Sequence, residues 1–304
     1  MRIDASVSTR EAWEELLARA PRCALQQGWA YGAALSAQGV RVHRLLVRDD
    51  EGLPLACAQV VERRLLGFLR VCFLLRGPVW IVELPEARQR EGLTALRTWL
   101  RKPLLIWAPE ATSAPAGRRA VITGYSTSWV ELGLPATAMR RRLHPNWRHR
   151  LGQAERHGLE VRVERGEEGL GWLLVRNEAQ RRQVGYKGPS PGFLHALAQA
   201  AGDDALLLTA WEQGERIAGV LLLRHGRAAT YEIGHVTPRG RRLNAKHPLL
   251  WQGMLRLSQH GVRWLDLGGI DTERAPTLAR FKLGLGGETT TLAGTFLIPA
   301  WGRQ

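Results

Sequence analysis

Apolar residues recur along the first half of the chain with two spacings, one typical of helices and one of strands. Residues 9–20 place Trp13, Leu16 and Leu17 at helical spacing behind Ser8 or Thr9, either of which is a suitable helix cap. Residues 40–47 and 54–63 flank an acidic turn and predict a strand hairpin. The other elements predicted in this half are strands at 71–75, 104–108 and 129–132 and helices at 86–100 and 136–143.

The second half repeats this order of elements, although no sequence repeat is detectable. The predicted helices are at 147–157, 167–183, 192–201 and 248–260, and the predicted strands at 159–164, 206–212, 216–225, 228–235, 264–267 and 289–299. Strands that alternate with helices favour a layered α/β fold. We therefore predict two α/β domains, residues 1–145 and 146–288, joined near residues 143–150.

Residues 264–287, WLDLGGIDTERAPTLARFKLGLGG, combine an apolar strand, a double glycine, an acidic loop and a lysine. Gly268 and Gly269 allow a sharp turn and a close approach to a ligand. Lysine occurs only at 102, 187, 246 and 282 among the 43 lysine and arginine residues, so Lys282 beside Phe281 stands out. The alternative is an ordinary solvated lysine on a C-terminal helix.

This segment resembles the C-terminal signature of the FemAB family, a DLGGI-type strand end followed by FK-x-G-x-GG. Further similarities follow in order along nearly the whole chain: the Q-x-x-W opening in 24–39, the RGP strand end in 74–79, the basic helix and glycine-led strand in 146–161, and YEIG at 231–234. The resemblance implies two tandem GNAT (acetyltransferase-like) domains and an aminoacyl-tRNA-dependent peptidyltransferase. The best-known members extend the peptide side chain of peptidoglycan precursors. It also implies that a strand within 289–304 returns to the first domain.

The formal net charge of +15 favours a polyanionic partner, which can be nucleic acid, a phosphorylated substrate or an anionic membrane. The cysteines at 23, 57 and 72 lack metal-binding spacing and are typical of buried residues in a reducing compartment. Residues 1–10 contain no apolar stretch of the kind found in signal peptides, and no uncharged run reaches transmembrane length. We expect a cytoplasmic protein, with a peripheral place at the inner face of the membrane left open.

Two arginine-rich stretches are the candidate tRNA or phosphate contacts, although a solvated basic helix is an equal alternative. One runs from Arg140 to His157, and the other, residues 239–242, precedes the helix at 248–260, where a GNAT fold binds pyrophosphate. The acetyl-CoA version of that loop has Q/R-x-x-G-x-G/A spacing, which is missing here, so acyl-CoA is less favoured than RNA. The candidates are Arg148, Arg150, Arg239, Arg241, Arg242 and Lys246.

The resemblance also implies residues that contact the acceptor, which would be a peptide or amine linked to a nucleotide or a lipid. The chain departs from several relatives in lacking a lysine soon after Trp29, and Arg41 or Arg44 of the next strand is a possible substitute. An arginine that meets acceptor phosphates in relatives matches either Arg181 or Arg182. The full set of candidate substrate contacts is Trp29, Arg76, Arg181, Arg182, Tyr231, Gly268 and Gly269.

Transfer of an aminoacyl group from a tRNA ester to an amine requires alignment, removal of a proton and stabilisation of an oxyanion. We assign Lys282, positioned by Phe281, to the charge of the tetrahedral centre or to the acceptor's carboxylate. Asp266 and Asp271 are candidates for orienting the acceptor ammonium or taking its proton. No histidine or cysteine pattern predicts a metal site, and aminoacyl-tRNA is the only co-substrate implied. Two alternatives remain, a GNAT-like N-acyltransferase that uses an acyl thioester and a non-catalytic RNA-binding protein.

Overall fold

A computed structural model describes residues 1–65, 67, 69–101, 103–115, 117–185 and 188–299. The strands are β1 (Arg2–Asp4), β2 (Arg41–Arg48), β3 (Pro54–Leu65), β4 (Leu69–Leu75), β5 (Val79–Trp80), β6 (Leu104–Ala108), β7 (Ser126–Glu131), β8 (Glu160–Glu164), β9 (Ala205–Glu212), β10 (Glu215–His225), β11 (Ala228–Val236), β12 (Trp264–Gly269), β13 (Glu288–Thr291) and β14 (Phe296–Ile298). The α-helices are α1 (Arg10–Leu17), α2 (Trp29–Ala37), α3 (Glu86–Trp99), α4 (Ala136–Arg142), α5 (Pro145–Arg156), α6 (Glu167–Val184), α7 (Pro191–Ala201), α8 (Pro238–Arg242), α9 (Lys246–Gln259) and α10 (Pro276–Leu283).

The first sheet has the strand order β1-β2-β3-β4-β6-β14, with β5 paired to β3. Strands β1 to β4 are antiparallel neighbours, whereas β4 and β6 are parallel because the chain crosses over through α3 before it enters β6. Leu93 and Leu96 of α3 join Leu45 and Leu105 in one buried apolar cluster. The helix therefore covers one face of this sheet.

The second sheet has the strand order β13-β7-β12-β11-β10-β9-β8. Its one recorded parallel pair is β11 with β12, and the crossover between these strands contains α8 and α9. Leu249, Leu250 and Met254 of α9 are buried in a cluster with Leu222 and Leu265 of the sheet. Helix α9 therefore packs on a face of this sheet.

By contact density the chain forms two compact units. Unit 1 comprises Met1–Ser126, His225–Arg227 and the described residues from Thr290 onward, and unit 2 comprises Thr127–Arg224 and Ala228–Thr289. The predicted domain boundary between residues 145 and 146 remains a prediction. The predicted final strand is interrupted: residues 288–291 form β13, and β14 pairs with β6 of the first sheet. Residues 300–304 of that prediction lie outside the described residues.

Most predicted helices and strands are present with small shifts in their ends. Thr9 caps α1, since its side chain accepts a hydrogen bond from the backbone N–H of Ala12. The stretch expected as a loop before α9 contains the short helix α8, because Thr237 caps it through the N–H of Gly240. The three cysteines are buried and free, as their composition and spacing predicted.

Candidate active site

Lys282 lies in the last turn of α10 and is only 8% exposed. Its Nζ donates a hydrogen bond to the carbonyl oxygen of Gly269 at 2.9 Å and lies 5.9 Å from the centre of the Tyr231 ring. Gly284, which ends α10, is required for this placement: a Cβ there would lie 2.6 Å from Cδ1 of Trp147. The first glycine after the lysine in FK-x-G-x-GG thus allows α10 to pack closely against α5.

The backbone that meets Lys282 comes from an irregular end of β12. The recorded pairing of β11 with β12 runs to Thr230 and Asp266, and the register of β12 with β7 shifts between Asp266 and Gly269. Gly268 has φ +67°, a conformation that side chains disfavour, and a Cβ there would lie 3.8 Å from Lys282 Nζ. The bulge therefore turns the backbone toward the lysine, a device common beside active sites.

Asp266 is 1% exposed and maintains this irregular strand end. Its Oδ1 accepts a hydrogen bond from Thr127 Oγ1 at 2.5 Å and from the backbone N–H of Gly268 at 2.8 Å. These bonds suit a positioning group better than a proton acceptor. Asp271 is exposed and accepts from the backbone N–H groups of Glu273 and Arg274, at 3.1 and 2.8 Å, so its bonds stabilise its own loop.

Burial lowers the pKa of Lys282 to about 8. The Asp266 and Glu232 carboxylates oppose this shift, and the Lys246 ammonium adds to it. A pKa of this size keeps most of the lysine protonated at neutral pH. Lys282 can therefore stabilise a developing negative charge, and it remains close to a range where it loses its proton.

Glu232 was not among the residues assigned from the sequence. Burial raises its pKa to about 7, the negative charge of Asp266 adds to the rise, and Lys282 opposes it. A carboxyl group with this pKa is suited to accept a proton near neutral pH. The only signal in the sequence was an acidic residue inside the otherwise apolar strand AATYEIG. Tyr231, beside it, is buried, and its hydroxyl pKa is raised by that burial.

A groove of about 1080 Å³ lies beside Phe281 and is lined by residues of α5, α8, α9 and α10. Lys246 stands in it, with its Nζ 5.5 Å from the centre of the Phe281 ring and 3.4 Å from the carbonyl oxygen of Gly234. Burial, aided by Arg241, lowers the pKa of Lys246 to about 8. The cationic lining residues are Arg150, Arg241, Lys246 and Arg280, and no carboxylate occurs among the described residues that line the groove.

The predicted phosphate contacts divide into two groups. Arg150, Arg241 and Lys246 line the groove, and Arg280 joins them without having been predicted. Arg239 donates from two nitrogens to the Glu212 carboxylate, both at 2.6 Å. Outside the groove lining, Arg148 donates to the carbonyl oxygen of Arg141 at 3.3 Å, and Arg242 is exposed. The sequence alone did not distinguish these two groups, because local arginine density says nothing about carboxylate partners.

The backbone amides near α8 are already used within the chain. The N–H groups of Asn244 and Ala245 donate to the carbonyl oxygens of Arg241 and Gly240, at 3.2 and 2.9 Å. The N–H of His247 donates to Asn244 at 3.0 Å. A pyrophosphate bound by backbone requires such groups to be available. These amides are therefore poorly suited to an acyl-CoA, whereas the side-chain cations of the groove remain open to phosphate.

Besides Tyr231 and the two glycines of β12, the other four candidate substrate contacts have partners in the structure. The guanidinium group of Arg44 lies 3.6 Å above the Trp29 ring. Arg181 and Arg182 share the Glu178 carboxylate. Arg76 is an ion-pair partner of Glu110. Trp29 and Arg76 lie in unit 1, and Arg181, Arg182, Tyr231, Gly268 and Gly269 lie in unit 2.

Residues 140–282 match the model of the acetyltransferase (GNAT) domain family. The crystal structure of FemX is similar, with 14% identity, a TM-score of 0.81, and coverage of 98% of this chain and 97% of FemX. The chain has the FemX fold. A tandem GNAT protein from the clavulanic acid biosynthesis pathway has 13% identity, a TM-score of 0.54, and coverage of 100% and 99%. The C-terminal domain of a putative lysylphosphatidylglycerol synthetase from Agrobacterium fabrum has 16% identity, a TM-score of 0.54, and coverage of 93% and 91%.

The predicted resemblance to the FemAB family and the predicted tandem GNAT architecture are thus confirmed at the level of the fold. The GNAT match and the FemX fold together support an acyltransferase. No curated protein sequence matches the chain. The described residues contain no group of three or more His, Cys, Asp or Glu side chains able to hold a metal ion, and none of their helices is long and apolar enough to cross a membrane.

Proposed function

We propose that this protein transfers an amino acid from an aminoacyl-tRNA to an amine of a peptidyl or cell-wall-precursor acceptor. The observation that carries the proposal is the buried Lys282 ammonium, which interacts electrostatically with Glu232 and lies next to a groove whose described lining residues include cations but no carboxylate. The acceptor class includes amines linked to a nucleotide or a lipid. Contact with an anionic membrane and a cytoplasmic location belong to the same proposal.

In the proposed step the acceptor amine attacks the ester carbonyl carbon of the aminoacyl-tRNA. A C–N bond forms, the carbonyl oxygen becomes an oxyanion, and the ammonium group formed must lose a proton. Collapse breaks the C–O bond to the ribose oxygen, which leaves with a proton. Lys282 stabilises the oxyanion by charge and by hydrogen bonding, as expected for a preorganised donor. Glu232 in its ionised form takes the amine proton and returns it to the leaving oxygen.

Asp266 and Phe281 have positioning roles in this scheme. The Asp266 carboxylate orders the bulge that presents the Gly269 carbonyl to Lys282. Phe281 is adjacent in sequence to the lysine and packs at 5.2 Å, ring to ring, against His247 in the wall of the groove. The donor's phosphates are assigned to Arg150, Arg241 and Arg280, since guanidinium groups bind phosphate oxygens in pairs.

An N-acyltransferase that uses an acyl thioester is the second candidate. It is favoured by the GNAT acetyltransferase match over residues 140–282 and by the fold shared with the tandem GNAT protein of clavulanic acid biosynthesis. Such an enzyme would act in cell-envelope, exopolysaccharide or natural-product assembly. The amides near α8, which are bonded within the chain, favour the tRNA donor over this alternative.

A non-catalytic RNA-binding role is the third candidate, and the buried lysine argues against it. A protein that only binds RNA gains its affinity from exposed cations. It has no use for an ammonium group whose burial lowers its pKa. Perturbed groups of this kind are enriched at catalytic sites.

The test is a transfer assay with a panel of charged tRNAs and acyl-CoAs against lipid-linked, nucleotide-linked and free amine acceptors. We expect transfer from at least one aminoacyl-tRNA, and its loss in Lys282→Met. A matched control is Lys246→Met, which we expect to weaken donor binding while the rate at saturating donor is retained. Transfer from acyl-CoA alone would replace the proposal by the second candidate, and transfer from no donor would leave the third.

A further inference from the structure

The turn between β3 and β4 exposes apolar side chains. Leu65 and Leu69 lie opposite each other in the strand pairing and are 48% and 37% exposed. Gly67, between them, has φ +77°, and a Cβ at this position would have no described atom within 4 Å. The turn therefore projects into solvent. Clustered exposed apolar side chains mark surfaces that bind another protein or a membrane.

The same turn is basic. Residues 63–70, RRLLGFLR, contain three arginines and no acidic residue. Arg63 and Arg64 are exposed. The preceding residue, Glu62, is 4% exposed, and its carboxylate accepts a hydrogen bond from Arg70 at 2.7 Å. This adjoining carboxylate is therefore neutralised within the fold, whereas Arg63 and Arg64 face solvent.

The end of α3 adds an aromatic side chain and another arginine to this surface. Nη1 of Arg70 donates to the carbonyl oxygen of Leu100 at 3.2 Å, which places the end of α3 beside the start of β4. Trp99 is 41% exposed, and Arg101 is exposed. Arg41, opposite Glu62 in the register of β2 with β3, is exposed as well. Tryptophan is enriched where membranes meet water, because its ring is apolar and its indole N–H is polar.

The two ends of β3 differ in charge. The turn before the strand, residues 49–53, has the sequence DDEGL, whereas the strand ends at Leu65 beside the arginines. A strand of 12 residues spans roughly 40 Å. Attraction to a charged surface is screened within about 8 Å at physiological salt. The acidic turn is therefore beyond the reach of an anionic surface that the Leu65 end contacts.

We infer that this surface, the basic tip, docks the protein on an anionic lipid bilayer. The basic tip consists of Arg41, Arg63, Arg64, Leu65, Leu69, Trp99 and Arg101. Its apolar side chains enter the interfacial region of the bilayer, and its guanidinium groups stay at the level of the lipid phosphates. A nucleic acid would use the arginines and leave the leucines in water, whereas a bilayer uses both.

The inference goes beyond the proposed function, which includes contact with an anionic membrane without a site for it. It rests on that function only for the reason to approach a membrane, an acceptor linked to a lipid. The contact itself follows from the exposure and charge of the basic tip. It is measured without turnover.

The first test is sedimentation of the full chain with vesicles of phosphatidylglycerol mixed with phosphatidylcholine, and with vesicles of phosphatidylcholine alone. We expect the wild type to prefer the mixed vesicles. Arg63→Gln/Arg64→Gln should lower its partition coefficient roughly 30-fold, about fivefold for each arginine. Arg118→Gln/Arg119→Gln is the matched control, since these arginines are also adjacent and exposed and the same charge is lost. Its loss should be far smaller.

The second test removes the apolar contribution and keeps the charge. Leu65→Ser/Leu69→Ser should lower partition to the mixed vesicles roughly tenfold, because less apolar area leaves water. Leu53→Ser, in the acidic turn before β3, is the control: Leu53 is 59% exposed, and its loss should leave partition unchanged. Each of the two leucines of the tip is less exposed than Leu53, so exposure alone does not explain the expected difference.

A label gives a further readout that does not depend on loss of binding. A polarity-sensitive fluorophore on Leu65→Cys should shift to the blue with mixed vesicles, and the same fluorophore on Leu53→Cys should not. The native cysteines at 23, 57 and 72 are buried, which favours labelling at the introduced thiol. No shift at Leu65→Cys would overturn the inference.

Three other results would also overturn it. They are no binding of the wild type to mixed vesicles, equal losses in the tip and control variants, and a fall in tRNA affinity in Arg63→Gln/Arg64→Gln with vesicle binding unchanged. The last result would make the basic tip an RNA surface. Vesicle binding through the tip without aminoacyl transfer would sustain this inference while the proposed function fails. Transfer to a lipid-linked acceptor without vesicle binding would do the reverse.

Discussion

Two buried cations, Arg76 in unit 1 and Lys282 in unit 2, differ in whether they form an ion pair. In unit 1, Arg76 is 5% exposed and donates to Glu110 and to the Tyr125 hydroxyl, and Glu62 is 4% exposed and accepts from Arg70. In unit 2, Lys282 is nearly as buried, yet its recorded hydrogen bond is to a neutral carbonyl, and no carboxylate of a described residue forms an ion pair with it. Arg76 and Lys282 are thus buried to a similar degree, but only Arg76 forms an ion pair among the described residues.

The presence or absence of an ion-pair partner distinguishes buried charges that stabilise the fold from buried charges that can act on a substrate. A buried ion pair satisfies both partners, and removal of one leaves the other uncompensated. A buried charge without an ion-pair partner lowers stability, and it is retained where it meets a substrate. The pKa values agree: Arg70 and His43 lower that of Glu62 to about 2, whereas burial raises that of Glu232 to about 7.

The largest expected effect is on stability, in Arg76→Met. The substitution leaves the Glu110 carboxylate without its ion pair, so we expect the free energy of unfolding to fall by about 3–5 kcal/mol. Urea unfolding measures it. Lys282→Met is the matched comparison, and there we expect no loss or a small gain, since a buried charge is removed. Arg76→Met would contradict this comparison if it unfolded like the wild type and raised only the KM for the acceptor, as a substrate contact would.

The next effect is on turnover, in Lys282→Ala. Loss of one preorganised donor to an oxyanion lowers kcat by roughly 10²–10³, about 2.7–4 kcal/mol. Lys282→Arg should rescue poorly, because a planar guanidinium group does not replace a compact ammonium. Steady-state kinetics with a saturating acceptor measure both. If the alanine variant mainly raises the KM for the acceptor, the lysine binds substrate and does not stabilise the transition state.

The fold was largely predictable from the sequence because apolar periodicity and turn residues act locally. The strand at 104–108 and the helix at 136–143, for example, match β6 and α4 closely. The final strand was not predicted correctly. It is interrupted between β13 and β14, where Gly294 has φ +112°, and the two strands belong to different sheets. Which sheet a short strand joins depends on partners distant in the chain.

The candidate site was predictable only in part. The FK-x-G-x-GG motif pointed to Lys282. The first glycine of this motif is explained by the close packing of α10 on Trp147. Glu232 was missed because its raised pKa comes from burial and from Asp266, and neither is visible along the strand sequence. Arg239 and Arg241 are two positions apart, yet one is neutralised by Glu212 and the other lines the groove. Such pairing is a tertiary property.

A smaller effect is expected from Glu232→Gln, about 10²-fold in kcat, with a change in its pH dependence. As a base Glu232 must be ionised, so wild-type activity should rise as pH increases through about 7. Lys282 must be protonated, so activity should fall above about 8. The variant should lose the acidic limb and keep the alkaline one, as measured by pH–rate profiles. Glu160→Gln, at an exposed ion pair with Arg162, should keep both limbs. An acidic limb that survives Glu232→Gln assigns the base elsewhere.

The smallest effect concerns the salt dependence of tRNA binding and compares two arginines of the same short helix. Arg241→Gln removes a groove cation that pairs with no carboxylate of the described residues, so the slope of log Kd against log salt should decrease by about 0.7–0.9, the loss of one phosphate contact. Arg239→Gln removes a charge that Glu212 already neutralises, so its slope should stay near that of the wild type. Filter binding between low and physiological salt measures both. Arg150→Gln and Arg148→Gln repeat the comparison on α5, where Arg150 lines the groove and Arg148 is not among its lining residues. Equal slopes for all four variants would mean that the overall charge of +15, and not the groove, attracts the RNA.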